Sequence, residues 1–205
     1  MANLNQTELL AFAKDFIEER ITALEKDVKH CLTSPFAPFP AVSYCFSTIN
    51  LLGELSIRRR AGNRTDSDYQ TQTYMQTYMN YNSEQTELLM QIFRHKLAHL
   101  AIPHPLFIDN QGRRIVWIYF HQDTGANLHL QLTPATHGAV MTPSQAVPSW
   151  QIPYSHEFIL SIGRFLIDIM NSVDDHQGNG YLPDLMKSQT LQSTFKDAIC
   201  EIYPS

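Results

Sequence analysis

The stretch FRHKLAHL, Phe93 to Leu100, places Arg94, His95 and His99, with Lys96 among them, at the end of an otherwise apolar run. Cations and imidazoles in such a setting are costly unless they have partners. Three chemistries compete for them. A histidine near a helix C-terminus is favoured by the helix dipole, and Arg94 and Lys96 can reach solvent, so the group can be structural. Alternatively, His95 and His99 stand at i and i+4, about 40° apart around a helix, the spacing of many histidine metal sites. Lys96 replaces the glutamate of an HExxH motif, however, and a lysine and an arginine repel a dication. Further ligands would have to come from His104, His121 or a distant carboxylate. The third chemistry is metal-free cleavage of a phosphodiester. Arg94 offers a fixed charge whose fork matches phosphate, and a histidine titrates near neutral pH and can move protons. RNA brings its own nucleophile, the 2′-hydroxyl, so an arginine and a histidine are the residue types an in-line attack needs.

These residues must be held by their surroundings. Asn82 to Ile102 is expected to be a helix, capped by Asn82 or Ser83, with Glu84 and Glu87 at its positive end. Pro103 ends it and is expected to distort the turn that holds His99. Upstream, Asn3 to His30 has apolar residues at Leu10, Ala13, Ile17, Ile21, Leu24 and Val28, one stripe of a long amphipathic helix. TSPFAPFP, Thr33 to Pro40, breaks it. Ala41 to Arg60 has a stripe of Val42, Cys45, Ile49 and Leu52, and its arginines suit the last turn of a helix, with Gly62 as the cap. Arg58, Arg59, Arg60 and Arg64 thus form a dipole-matched helix end or, in a second reading, a phosphate-binding patch. In DYQTQTYMQTYMNYN, Tyr74 and Tyr78, and Met75 and Met79, stand four apart, as in a short helix packing into a core.

Downstream the period changes. Arg114 to Phe120 is a β-branched and aromatic run, and Leu128 to Leu132 alternates, so the two are expected to form a β-hairpin around 114–132. Thr133 to Pro153, with four prolines, reads as a long loop of the lid or arm kind. Tyr154 to Val173 and Tyr181 to Ile202 read as helices. The expected fold is mainly α, a helical bundle of five or six helices with an inserted hairpin, forming a single domain over 1–205.

The chain of 205 residues has a net charge of −5, which gives no general attraction to nucleic acid or an anionic membrane, so such binding needs a local basic patch. Cys31, Cys45 and Cys200 are isolated, with no CxxC spacing, which argues against a disulfide framework or a thiolate zinc site and fits a reducing cytoplasm. The N-terminus lacks the pattern of a secretory signal, and no apolar run approaches a membrane span, so a cytoplasmic protein without membrane partners is expected.

The segment Arg94-His95-Lys96-Leu97-Ala98-His99 resembles the R-x4-6-H motif of the HEPN superfamily, small helical domains of toxin–antitoxin, defence and RNA-processing systems. His95 matches the polar residue that commonly follows the arginine. The long amphipathic helix and a helix of the INLLGELSIRRRAGN type precede the motif, as in that family. The resemblance implies a metal-independent endoribonuclease without a cofactor. His99 would then serve as proton shuttle, Arg94 would hold the scissile phosphate and His95 would support them. Cleavage would leave a 2′,3′-cyclic phosphate or 3′-phosphate and a 5′-hydroxyl. It also implies a homodimer whose two motifs share a cleft, and an antitoxin or nucleotidyltransferase as candidate partner. The tyrosine such a transferase modifies in some members is Ala101 here. On a straight helix Arg94 and His99 lie about 140° and roughly 7.5 Å apart, so a second chain would help them meet. Arg58, Arg59, Arg60, Arg113 and Arg114 are the next candidates for contacts to an RNA backbone. Many superfamily members do not cleave, so a binding or assembly module for a nucleotide, RNA or protein is the alternative, and a histidine metal enzyme the third. His30, His121, His129, His137, His156 and His176 are read as surface or packing residues.

Overall fold

The computed structural model describes residues 5–33, 35–58, 67–100, 103–121, 126–143 and 145–203, apart from the side chains of 98–100 and 126. The protein is mainly α with a small mixed sheet. It groups into two compact units, Met1–Thr86 with Leu166–Ser205, and Glu87–Phe165.

The first unit is helical. In α1 (Gln6–Cys31) Asn5 and Glu8 form a reciprocal cap, each side chain accepting from the other's main-chain N–H at 3.0 and 2.9 Å. Its buried stripe is Leu9, Ala13, Phe16, Ile17, Leu24 and Val28, so the core takes Leu9 and Phe16 where the sequence suggested Leu10 and Ile21. Helix α2 (Pro38–Ser56) starts on a proline, whose missing N–H costs nothing in a first turn. It ends at Ser56, before the arginines, so the expected helix to Arg60 is corrected: Ile57 is extended, and its carbonyl accepts from the Gln70 side chain at 2.7 Å. Arg58 is therefore not part of a dipole-matched last turn; Arg59, Arg60 and Arg64 lie outside the described residues.

Helix α3 (Ser67–Tyr78) crosses α2 at Gly53, where a Cβ would stand 2.9 Å from the main chain of Gln70. Tyr74, Met75 and Met79 are buried, as the four-residue spacing implies. The Tyr74 hydroxyl pairs with Ser172 at 2.9 Å, and Tyr181 donates to the Leu55 carbonyl at 2.8 Å, which satisfies both polar tips in the core. The expected helix Tyr181–Ile202 is two helices, α7 (Tyr181–Lys187) and α8 (Gln189–Ile202). Ser188 is extended between them and caps α8, accepting from the Leu191 N–H at 3.3 Å.

In the second unit, α4 (Ser83–Leu88, shared with the first unit up to Thr86) runs into a π-helical segment, Leu89–Arg94, and then α5 (His95–Leu100). The sheet follows: β1 (Phe107–Ile108), β2 (Arg114–Phe120), β3 (Leu132–Pro134) and β6 (His156–Ser161), in the order β1-β2-β6-β3. A separate pair joins β4 (Val140–Met141) to β5 (Ile152–Pro153).

The expected hairpin around 114–132 is corrected. β2 pairs with β6 in parallel, Ile115 opposite His156 through Phe120 opposite Ser161, and β3 lies antiparallel on the far side of β6. A parallel pair needs a long crossover, and the proline-rich segment between β2 and β6 supplies it, so that segment is a connection carrying three short strands rather than a plain loop. The expected helix from Tyr154 is also corrected: Phe158, Ile159, Leu160 and Ser161 are buried in β6, and α6 (Ile162–Val173) begins only afterwards. Ser161 caps the new helix by accepting from the Arg164 N–H at 3.3 Å.

Candidate functional site

The helix that carries the motif starts with a reciprocal cap. The side chains of Asn82 and Gln85 each accept from the other's main-chain N–H, both at 2.9 Å. Then LLMQIF buries Leu88, Leu89, Met90, Ile92 and Phe93, more consecutive apolar residues than one regular stripe takes inside. The wider π turn accommodates them, and it closes with the His95 N–H donating to the Met90 carbonyl. Such turns occur often at functional sites. The motif begins where this one ends: Arg94, His95 and Lys96 are partly exposed, and Leu97 returns to the core.

The distortion expected in the turn of His99 is thus found one turn earlier. His95 to Leu100 is regular α-helix, and its backbone includes His99, whose side chain lies outside the described residues. With regular turns, five residues leave Arg94 and His99 on different sides of the helix, about 140° apart.

A histidine that the sequence reading gave only a conditional metal role takes a central place. After Pro103 the chain turns back, and the His104 N–H donates to the carbonyl of Ile92, inside the π turn, at 2.8 Å. The His104 carbonyl accepts from the Trp117 indole at 2.9 Å. Its main chain is thereby fixed on both sides. Its Nδ1 is shielded from solvent with no hydrogen-bond partner. Desolvation, with a smaller contribution from the Lys96 charge, holds the His104 pKa below the ordinary imidazole value. The sequence signal that could have found it was Pro103, which cannot continue a helix and marks a change of conformation just before His104.

Beyond His104, aromatic rings line one side of β2. Phe93 meets Trp117 edge-on at 5.6 Å, Trp117 and Tyr119 stack at 5.6 Å, and Tyr119 meets His121 edge-on at 5.2 Å. Phe93 is buried, and the other three are partly exposed.

The remaining candidates are spread out. Arg113 is held by Asp109 in the β1–β2 turn, Nε to Oδ2 at 2.5 Å. Burial pushes the Asp109 carboxyl up, but the Arg113 side chain and the main-chain N–H groups of Arg113 and Gln111 outweigh it and leave the group below its ordinary value. Arg114 stands at the start of β2, its Nε shielded and without a hydrogen-bond partner. Arg58 lines a cavity of about 210 Å³ in the first unit together with Glu54, Asp197 and Glu201, and three carboxylates offset its attraction for phosphate. His129 is a packing residue, as expected: its Nδ1 accepts from the Ser161 N–H at 3.1 Å, and burial, helped by Arg164, pushes its pKa down to about 3.

No group of three or more His, Cys, Asp or Glu side chains gathers as a metal site among the described residues. None of the helices among those residues is long and apolar enough to cross a membrane. Comparison with known protein families, with characterised proteins and with solved structures gives no match.

Proposed function

We propose that the protein is a metal-independent endoribonuclease of HEPN type, belonging to a toxin–antitoxin or defence system and acting as a homodimer. One observation carries the reading: the motif begins at a π turn, a kind of turn frequent at functional sites, and the main chain of a third histidine is tied to the same turn. Arg94 and His95 close the turn, and His104 is bonded to its Ile92 carbonyl. Arg94 holds the scissile phosphate and offsets the charge that develops on the phosphorane. His99 moves the proton of the 2′-hydroxyl or of the leaving 5′-oxygen, and a second copy supplies the complementary histidine. His95 orients the phosphate or adds a donor. No step requires a metal or cofactor.

The depressed basicity of His104 favours a second reading, a module that binds RNA or a nucleotide through the same cluster without cleaving it. An imidazole whose cation is disfavoured is a weaker base but still offers hydrogen bonds to a ligand.

The test is cleavage of an end-labelled, structured RNA pool in EDTA by wild type, Arg94→Ala and His99→Ala, each shown to be folded by circular dichroism. The expected result is 5′-hydroxyl ends from wild type and a loss of at least about 100-fold in both variants. Folded variants that match wild type, or an inert wild type, would overturn the cleavage reading. Activity restored only by adding Zn²⁺ or Fe²⁺ would move the assignment to the metal enzyme.

A further inference from the structure

The two units differ in charge in a way the whole-chain value hides. Residues 87–165 hold five Lys and Arg against four Asp and Glu, and seven of the nine histidines. The residues that flank the aromatic row are more one-sided still: no acidic residue occurs in 88–108 or in 113–122. Asp109, between those stretches, is already engaged by Arg113.

We propose that the side of β2 bearing Trp117, Tyr119 and His121 is a stacking surface for the unpaired bases of single-stranded RNA, with Arg94, His95 and Lys96 alongside it for the phosphates. The inference rests on the reading of RNA as the ligand and names the form of RNA and the groups that hold it.

Three features support it. First, the rings are planar, partly exposed and in file, where filling the core alone would bury them as it buries Phe93 and Phe158. Stacking on aromatic side chains is the sequence-tolerant way to hold single strands, because every base has a π face. Second, the ring centroids stand 5.6 and 5.2 Å apart, wider than the roughly 3.4 Å step between bases of a duplex. A row with that repeat suits splayed bases and does not continue a duplex stack. Third, the surface is prepared before any ligand arrives. Trp117 is pinned by its indole bond to His104 and by the edge of Phe93, so little freedom remains to be lost on binding. Phe93 directly precedes Arg94, His95 and Lys96, which ties the cationic groups to the row through the covalent chain.

The chain contains one other tryptophan, Trp150, which is 53% exposed. In a Trp150→Phe variant of the full chain, Trp117 is the sole indole reporter. The probe is a 2′-O-methyl strand of about ten nucleotides, which lacks the 2′-hydroxyl nucleophile and so separates binding from cleavage. The expected result is saturable quenching of Trp117 in step with the anisotropy of the labelled strand. A duplex of the same length should cause no quenching. Tyr119→Leu, which keeps apolar volume but removes the stacking face, should weaken binding about tenfold in a folded protein. Saturable binding without quenching, equal quenching by the duplex, or unchanged affinity in Tyr119→Leu would overturn the surface. A protein that cleaves RNA yet shows no quenching loses only this inference. A protein that quenches but is inert in the cleavage assay keeps the surface and loses the ribonuclease.

Discussion

The helical unit and the sheet unit differ in how completely their buried polar groups are paired. In the helical unit the polar tips lie deep and are paired: Tyr74 with Ser172, Tyr181 with the Leu55 carbonyl. In the sheet unit, shielded nitrogens without a hydrogen-bond partner remain on His104 and Arg114. Leaving such an atom unpaired costs about 1–3 kcal/mol, so a fold tolerates it where something else is gained. The charges divide the same way. Ten Lys and Arg face sixteen Asp and Glu in the helical unit, whereas the sheet unit is slightly basic and holds most of the imidazoles. The difference teaches that the acidic whole-chain charge belongs to the helical unit, and that the unit carrying the motif has a charge balance of its own, slightly basic.

The comparison is sharpened most by pH. In the sheet unit, His129 is held neutral: its pKa is about 3 in the fold against 6.5 unperturbed, because burial and Arg164 disfavour the cation. A depressed imidazole contributes stability that is fully present above 6.5 and is lost as pH falls toward 3. The loss is on the order of 3 kcal/mol once partial exposure is discounted. In the helical unit, burial, with Asp184 adding to it, pushes Tyr78 up to about 12 from 10. Burial raises Tyr74 and Tyr181 too. The Tyr78 contribution is complete below pH 10 and is lost as pH rises toward 12, and those of Tyr74 and Tyr181 are lost higher still. Amide exchange should therefore open β6 first in acid. In alkali, tyrosinate absorbance should rise together with loss of helical dichroism. His129→Asn keeps an acceptor for the Ser161 N–H and should flatten the acid limb; an unchanged acid limb would show that another group sets it.

The same contrast governs what could be read beforehand. The helices of the first unit were legible because a period of three and four survives wherever one face is buried: α1 and α3 lie within a few residues of their expected places. The sheet was not, because its two longer strands are nearly continuous apolar runs without a clean alternation. RIVWIYF is a strand in any reading, but its partner is chosen by distant packing, and HEFILS runs into α6 with apolar spacings that also fit a helix. Arg94 and His95 drew attention because their types stand out in an apolar run. His104 stood out less, since its role follows from two main-chain bonds that close only when the chain turns back. Ser56 ended α2 early for a related reason: Gln70 captures the next carbonyl, and no local residue announces it.

A smaller effect tests the tight packing assigned to the helical unit. At Gly53 an added Cβ would lie 2.9 Å from the carbonyl carbon and oxygen of Gln70, main-chain atoms that cannot step aside. Alanine gains about 1 kcal/mol in helix propensity over glycine. Overpacking against a backbone costs about 1–3 kcal/mol, so the balance is expected to be a net loss on the order of 1 kcal/mol and a Tm lower by about 3 °C. The sheet unit's amide exchange should be unaffected. A Tm equal to or above that of wild type would mean that α2 and α3 have room between them, and the contrast in packing would weaken.

The smallest effect concerns Arg113, whose charge is held by Asp109. Asp109→Asn keeps an acceptor for the turn's N–H groups but removes the ion pair. The cost in stability should be about 1 kcal/mol or less, seen mainly as faster exchange in the β1–β2 turn. Because the Asp109 carboxyl is depressed, wild type should lose the same increment as pH falls through the carboxyl's folded pKa, while the variant should not. The informative readout is RNA affinity against salt. Removing one carboxylate makes the net charge of a barely basic unit more positive by one, so binding should strengthen and its slope against log salt should steepen by about 1. If affinity falls instead, the paired Arg113 is already in contact with the strand, and the cationic part of the surface extends from the π turn to the β1–β2 turn.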